Sequence, residues 1–398
     1  MPAAISADRS ERQPGLASSD APVYRLGFRP FYLLAAAFAA IAVPAWTLAW
    51  LGLMPAGPVD LLWHTHEMVF GFAGAVVAGF LFTAVQNWTG LPTPHGRALQ
   101  GFVVLWLAGR CAALGAPSLL YAAIDTAFLL AVALSILRLL LRADNRRNLP
   151  ICLVVALFGA CNLAYHLAVA GLLPISPLSA VHAAILMVVV LVAVIGGRVT
   201  PMFTRNGAPG SRPRAYPALD RACAASIVLL GAAWLIGAPG WLVAGLGFLA
   251  AGLNTSRLLL WDPLATLRHP MLWSIHLSFA LLVAGLLALG LSGAGLVAPS
   301  SALHLLAAGA MTGMIGAMIT RTARGHTGRT LQAGRSEIVM FTLLPLAALA
   351  RLGANLVDGA GRNHALALSA VLWSLAFIVY LLRYVPWLTS PRSDGKPG

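Results

Sequence analysis

The sequence contains little charge, and very little of that charge is negative. Charged residues make up 10% of its 398 residues, and Asp and Glu together number 12. Soluble proteins carry about 25% charged residues. Hydrophobic side chains make up 59% of the chain and the mean hydropathy is +0.83. This composition excludes a soluble globular fold and predicts an integral membrane protein that crosses the bilayer several times.

Cysteine is scarce, and the sequence does not begin like a secreted protein. The four cysteines are Cys111, Cys152, Cys161 and Cys223. They form no CxxC pair, so neither a disulfide framework nor a thiolate metal cluster is indicated. The first residues are polar and lack the basic and then apolar pattern of a signal peptide. Residues 1–24 are predicted to be a disordered cytoplasmic tail.

Apolar runs long enough to cross a bilayer, which takes about 20 residues per helix, occur twelve times. They lie near residues 31–53, 62–85, 98–115, 118–141, 150–173, 178–200, 219–237, 240–261, 270–290, 300–320, 337–357 and 364–387. The predicted fold is therefore an all-α integral membrane protein with about 12 transmembrane helices. Residues 25–388 form a single membrane domain, and residues 389–398 form a second cytoplasmic tail.

The excess of positive charge predicts the orientation of these helices. The chain has 26 basic residues and a net charge of +14. With the N-terminus in the cytoplasm, 23 of the 26 fall on the cytoplasmic side, as the positive-inside rule requires. Both termini are therefore predicted to be cytoplasmic. The positive charge is explained by the orientation of the helices in the lipid bilayer, which is the expected partner, and no nucleic-acid partner is expected. The three exceptions are Arg110, Arg351 and Arg362.

An internal repeat divides the twelve spans into three groups of four. Pro30, Pro150 and Pro270 each open a span, at intervals of 120 residues. Proline suits the first turn of a helix, where its missing N–H has no partner to lose. The predicted repeats are 25–148, 149–268 and 269–388, arranged about a pseudo-threefold axis.

The second span of each repeat carries a histidine near its outer end, and two further histidines lie at a similar level. The five are His64, His66, His166, His182 and His304. At about 1.5 Å per residue they lie roughly 5–10 Å deep, with His64 just above the others. Ionisable groups at this depth face the bundle interior, and imidazole is a common ligand of iron and copper. We predict cofactor binding by all five and metal ligation by His66, His166, His182 and His304. The alternative is that each is hydrogen-bonded to a neighbouring helix.

The spacing of His64 and His66 leaves two possibilities. Residues two apart on a helix point about 200° apart, so the two imidazoles cannot easily bind one metal. Either the two imidazoles bind cofactors on opposite sides of the helix, or His64 precedes the helix and binds no cofactor. His276, about 9 Å inside span 9, is expected to be a buried, hydrogen-bonded histidine.

Arg110 and Arg351 share the level of the histidines and are further candidate cofactor-binding residues. A planar guanidinium matches the carboxylate of a haem propionate. The competing explanation is an ion pair with a nearby carboxylate, Arg110 with Asp125 and Arg351 with Asp358. The sequence leaves the choice open.

Several motifs resemble those of the NnrS family over about residues 25 to 385. They are Gly27-Phe28-Arg29-Pro30-Phe31, Trp63-His64-Thr65-His66-Glu67-Met68, Phe70-Gly71-Phe72, Asn87-Trp88-Thr89-Gly90, the run from Ile195 to Asn206, and Gly325-His326-Thr327-Gly328-Arg329. Gln86 stands where the family pattern often has proline. The resemblance implies a bacterial inner-membrane protein that contains haem, expected to be type b, and copper, and is linked to denitrification and nitrosative stress.

The leading hypothesis is a protein that binds nitric oxide and reduces or detoxifies it, with an electron donor that the sequence does not identify. Three groups of four helices with histidines on spans 2, 6 and 10 are similar to the catalytic subunit of haem–copper oxidases and NO reductases, although the adjacent His-His pair of those proteins is absent. The alternatives are a transporter of a metal or small anion and a haem-based NO sensor without turnover. The sequence assigns no catalytic residue.

Overall fold

A computed structural model describes residues 21–55, 57–116 and 118–396, and it shows a bundle of twelve helices. Within these residues 79% of the chain is helical and no strand is present. The helices are α1 Phe28–Trp50, α2 Leu61–Thr89, α3 Gly96–Ala112, α4 Ser118–Arg142, α5 Leu149–Val169, α6 Pro177–Gly207, α7 Pro217–Leu235, α8 Gly240–Leu260, α9 Pro270–Gly293, α10 Pro299–His326, α11 Arg335–Gly353 and α12 Gly359–Leu388.

The prediction of an all-α membrane protein is confirmed, and each predicted span coincides with one helix. Eleven of the helices are long and apolar enough to cross a bilayer, so the chain is a multi-pass membrane protein in a lipid bilayer. The remaining helix, α3, has 17 residues and is about 25 Å long, shorter than a hydrocarbon core of about 30 Å. Residues 1–20, which make up most of the predicted N-terminal tail, lie outside the described residues.

Both described ends of the chain lie at one end of the bundle, which we call the terminal end. Arg29 is fully buried in the first turn of α1, and its Nη1 donates to the backbone oxygens of Leu388 (3.0 Å) and Ser390 (2.8 Å). Residues after α12 then fold against the end of α10, where Arg392 Nη1 donates to the backbone oxygen of His326 at 3.1 Å. Arg392 also donates to Asp394 and holds the pKa of that carboxyl well below its usual range. The first residues after α12 thus pack on the bundle as far as Ser393, whose N–H donates to the backbone oxygen of Thr327 at 3.1 Å.

Helices α2, α6 and α10, which carry the histidines of the three predicted repeats, pack against one another. Buried residues make up 78% of the apolar core of α2 and 72% of that of α10. Helix α1 packs along α12, and in the same way α5 packs on α4 and α9 on α8. This packing is compatible with three repeats of four helices, which stay a prediction.

Two of these inner helices contain a π-helical segment directly after a histidine. In α2 the segment Glu67–Ala73 follows His66, and in α10 the segment Leu305–Met311 follows His304. Each π segment shifts the following side chains around the helix axis, and such segments are frequent at functional sites. Both lie toward the end of the bundle opposite the terminal end, which we call the opposite end.

Candidate functional site

A cavity of about 130 Å³ lies between α1, α2, α6, α10, α11 and α12, near the opposite end. Three imidazoles line it, one from each of the three inner helices: His64 from α2, His182 from α6 and His304 from α10. Apolar and aromatic side chains such as Trp46, Met68, Phe72, Met311 and Trp373 form most of the remaining wall. We call this space the central cavity.

The three imidazoles of the central cavity keep donor atoms available for a ligand. His64 stacks on Trp46 with ring centroids 4.1 Å apart, and its Nδ1 is buried without a hydrogen-bond partner. His304 Nδ1 lies 2.7 Å from the backbone oxygen of Ser300. Because a carbonyl can only accept, Nδ1 carries the proton, and Nε2 therefore has a free lone pair. His182 lies beside Trp234, with ring centroids 5.0 Å apart.

Arg351 is the cationic side chain in the wall of the central cavity. Its Nη1 donates to Asn355 Oδ1 at 3.0 Å and its Nη2 to Ser300 Oγ at 3.1 Å. Its Nε is buried without a partner. The pair proposed with Asp358 is absent from the ion pairs of the described residues, because Asp358 lies exposed at the start of α12. Arg351 therefore has neutral partners and brings an uncompensated positive charge to the cavity.

A second cavity, of about 100 Å³, continues between the same three inner helices toward the terminal end. Its lining adjoins that of the central cavity along α2, where Ala73 follows Phe72, and along α10, where Met314 lies two residues after Thr312. The lining among the described residues is apolar apart from the hydroxyl of Tyr32. This space suits small uncharged molecules and offers no ligand for a metal beyond the sulfur atoms of Met314 and Met318.

On the other side of α2, His66 belongs to a separate buried cluster of polar side chains. Its Nε2 lies 3.2 Å from Asp125 Oδ2, and its Nδ1 lies 3.0 Å from Glu67 Oε1. His166 Nε2 lies 3.1 Å from the same Asp125 oxygen. The exposed fraction is at most 5% for each of these four residues. We call the set that also contains Arg110, Tyr121 and Asn162 the His66 cluster.

Arg110 compensates the carboxylates of the His66 cluster. Its Nη2 donates to Asp125 Oδ1, and its Nη1 lies 3.1 Å from Glu67 Oε2. The ion pair of Arg110 with Asp125 that the sequence offered as one explanation is therefore present. A Cβ on Gly71 would collide with the guanidinium and would lie 2.9 Å from Glu67 Oε2, so the glycine makes room for this arrangement.

Three ligand atoms in the cluster are close enough for one metal ion. Donor atoms of His66, Asp125 and His166 all lie within 4.8 Å of one another. No other group of three or more His, Cys, Asp and Glu side chains in the described part of the chain meets this spacing. The central cavity differs from this cluster, because its three imidazoles line an open space and do not approach one another to this spacing.

The structure divides the predicted site residues into two groups. His64, His182, His304 and Arg351 line the central cavity, whereas His66, His166 and Arg110 belong to the His66 cluster. His66 is not in the wall of the central cavity with His182 and His304, because the two-residue step from His64, about 200° around the helix axis, directs it to the opposite side of α2. His276 is buried and hydrogen-bonded to the backbone oxygen of Leu272 (3.0 Å), as expected.

Sequence reasoning missed three residues of the His66 cluster, Glu67, Tyr121 and Asn162, and it also missed Tyr165, whose ring centroid lies 4.5 Å from that of His66. Glu67 carried a signal, since a carboxylate within a membrane span is costly and usually functional. Asn162 and His166 are one turn apart on α5, which places both on the face toward Asp125. The tyrosines carried no comparable signal, because tyrosine is common at membrane interfaces.

Twelve helices that enclose two buried groups of histidines define a multi-pass membrane protein. A family model described as NnrS protein matches residues 22–392. The chain therefore belongs to the NnrS family, and this membership suggests a role in the nitric oxide response. No curated protein matches the chain significantly.

Proposed function

We propose that the protein binds haem in the central cavity, with copper at an imidazole that the haem leaves free, and that it binds and reduces nitric oxide. The observation that carries this proposal is the convergence of His64, His182 and His304 on one cavity between the three inner helices. Two of these imidazoles would hold the haem iron, and the third would remain for a second metal. Neutral imidazole suits both iron and copper.

The other residues of the central cavity fit the same ligand. Apolar and aromatic walls suit a porphyrin ring, and a cofactor site is expected to combine such walls with a few polar groups. Arg351, with a buried Nε that lacks a partner, is placed to pair with a propionate. A propionate would also compensate the charge of this arginine, which no carboxylate of the described residues neutralises.

Nitric oxide reduction requires electrons, protons, a site for NO and a path by which NO enters, and the fold itself provides the path. Two NO, two electrons and two protons give one N₂O and one water, and an external electron donor supplies the electrons. When bound, haem and copper supply the sites for NO and the electron transfer. The chain itself contributes an apolar wall that excludes bulk water. It also contributes the second cavity, which extends to Tyr32 and through which an uncharged gas reaches the central cavity.

The membrane and its orientation form part of the proposal. We infer that the protein resides in a bacterial inner membrane with both termini in the cytoplasm, because 23 of its 26 basic residues then face the cytoplasm. The central cavity then lies in the outer half of the membrane, since its histidines are at the opposite end from Arg29 and His326.

The test is a quantitative haem and copper analysis of the protein purified in detergent. We expect a haem spectrum in the wild type and a loss of at least half of the haem in His64→Ala, His182→Ala or His304→Ala. His276→Ala is the matched control, since His276 is also buried but bonds to Leu272 and lies outside both sites. A colourless wild type, or full haem and copper in all three variants, would overturn the proposal and would favour a transporter.

A further inference from the structure

In the His66 cluster, hydrogen-bond acceptors face both ring nitrogens of His66, so a neutral imidazole leaves one of these contacts without a proton. Glu67 Oε1 lies 3.0 Å from His66 Nδ1, and Tyr121, which donates to the same Glu67 oxygen at 3.1 Å, lies 3.0 Å from Nδ1. Both neighbours can accept from Nδ1. The proton of a neutral His66 therefore resides on Nδ1, and Nε2 has a lone pair.

That lone pair points at other acceptors. Nε2 lies 2.8 Å from Asn162 Oδ1 and 3.2 Å from Asp125 Oδ2. The orientation of the Asn162 amide follows from its Nδ2, which donates to Asp125 Oδ2 at 2.7 Å. A nitrogen lone pair, an amide oxygen and a carboxylate oxygen thus meet in a buried space, and His166 Nε2 adjoins them at 3.1 Å from Asp125 Oδ2. Such a group of donor atoms repels itself unless a cation, either a second proton on His66 or a metal ion, lies among them.

We propose that His66 Nε2, His166 Nε2 and Asp125 Oδ2 bind a mononuclear, non-haem divalent metal ion, separate from the cofactors of the central cavity. Bonds of about 2.1 Å place the ligand atoms of such an ion at most about 4.2 Å apart. The donor atoms lie within 4.8 Å of one another in the structure. Small side-chain movements therefore close the site.

The surroundings of the three ligands match those of a metal centre. Metal-bound histidines usually donate their other ring nitrogen to a carboxylate or carbonyl, which fixes the tautomer. Glu67 has this role toward His66. Arg110 binds the second oxygen of Asp125 and leaves Oδ2 for the metal. Gly71 and Gly109 leave the space that this arrangement occupies.

The charge balance favours a cation at this position. With neutral histidines, Glu67 and Asp125 contribute two negative charges and Arg110 one positive charge, so the buried cluster has a net charge of −1. A divalent ion changes this to +1, and one bound anion such as hydroxide makes the cluster neutral. Three protein ligands leave coordination positions open for such an anion. Uncompensated charge at this depth is costly, so the metal and its anion stabilise the site together.

The ligand types indicate which metal binds. Two histidines and one carboxylate with open positions are typical of non-haem Fe(II). Copper(I) prefers sulfur ligands, and the cluster has none. The metal ion of the His66 cluster is therefore Fe(II). Its binding does not depend on haem in the central cavity.

The first experiment measures metal in the wild-type protein purified in detergent. Non-haem iron is the difference between total iron by mass spectrometry and haem iron by the pyridine haemochrome assay. The metal-depleted protein is then titrated anaerobically with Co²⁺ as a spectroscopic probe. We expect one equivalent of cobalt to bind and to give d–d absorption bands. A wild type that holds no non-haem iron and binds no cobalt stoichiometrically would overturn the proposal.

Variants then locate the metal. His166→Gln leaves the Arg110–Asp125 pair intact and is expected to weaken cobalt binding at least tenfold, as is Asp125→Asn. Tyr121→Phe, which removes a partner of His66 Nδ1, should weaken it about tenfold. His182→Ala and His276→Gln are the controls and should bind cobalt as the wild type does.

The outcomes separate this proposal from that of the central cavity. Loss of haem in His182→Ala with cobalt binding retained supports two independent sites. Cobalt bands that are unchanged in His166→Gln would show that cobalt binds outside the cluster and would overturn the proposal.

Discussion

The His66 cluster depends on the absence of a side chain at Gly71. The Cβ that any other residue would add lies in the space of the Arg110 guanidinium and 2.9 Å from Glu67 Oε2. The backbone oxygen of Gly71 also accepts from Trp106 Nε1 at 3.0 Å. Gly197 has a comparable relation to Arg257, since an added Cβ would lie 2.9 Å from its Nη1. Each glycine allows an arginine to enter the bundle.

Gly71→Ala is therefore expected to destabilise the protein by about 1–3 kcal/mol, the usual cost of overpacking. Gly101→Ala is the matched control, because Gly101 is also helical and an added Cβ meets nothing within 4 Å. Thermal unfolding of the purified variants in detergent measures the difference. Equal melting temperatures for the two variants would contradict the close packing of Arg110 against Gly71.

The two arginines at the level of the histidines should respond differently to substitution. Arg110→Gln leaves the buried Glu67 and Asp125 without their cation, and breaking a buried ion pair costs about 3–5 kcal/mol. Arg351→Gln removes no carboxylate's partner, so the fold should be retained and the haem content should fall. Thermal unfolding and haem analysis of both variants distinguish these effects. Strong destabilisation by Arg351→Gln would contradict a ligand-binding role for that residue.

At the scale of the element, α2 is the helix that separates the two sites. His64 lines the central cavity and His66 belongs to the cluster with Asp125. The π segment Glu67–Ala73 begins directly after His66 and contains Gly71. One short stretch of α2 thus supplies a histidine to each candidate site and the space for Arg110.

Single substitutions on α2 should have opposite effects. We expect His64→Ala to lower haem content and to leave cobalt binding to the cluster unchanged. His66→Ala should abolish cobalt binding and leave at least most of the haem. Haem and cobalt are measured in the same preparations. A loss of both ligands in both variants, with unchanged unfolding temperatures, would mean that the two sites are one.

The sequence predicts the depth of a residue in the membrane better than its direction around the helix. Depth follows from a rise of 1.5 Å per residue, and the spans and the level of the five histidines were predicted in this way. Direction depends on how helices pack, and the π segments alter it further. For this reason the partition of His64 and His66 between two sites stayed open, and Asn162 joined His166 and Asp125 only in the structure.

At the scale of the whole molecule, the terminal end joins distant parts of the chain. Arg29 in α1 binds the backbone after α12, and Arg392 binds the end of α10. Several family motifs meet there, since the ring of Phe28 lies 5.6 Å from that of His326. The opposite end carries both candidate sites. The molecule therefore separates a structural anchor from its ligand-binding residues.

A reporter fused after residue 398 tests the proposed orientation. We expect green fluorescent protein at the C-terminus to fluoresce, because it folds in the cytoplasm, and alkaline phosphatase inserted in the connection between α5 and α6 to be active. Twelve helices place the termini on one side, and the positive-inside rule places that side in the cytoplasm. The opposite pattern of activities would invert the topology and place the central cavity in the inner half of the membrane.

The most direct test of the account is the anaerobic addition of nitric oxide to the reduced, purified protein. The account predicts a saturable shift of the haem spectrum in the wild type and production of one N₂O for every two NO consumed. We expect the same shift in His276→Ala. In His304→Ala the size of the shift should fall in proportion to the loss of haem. A wild-type spectrum that nitric oxide leaves unchanged, with no N₂O formed, would contradict it.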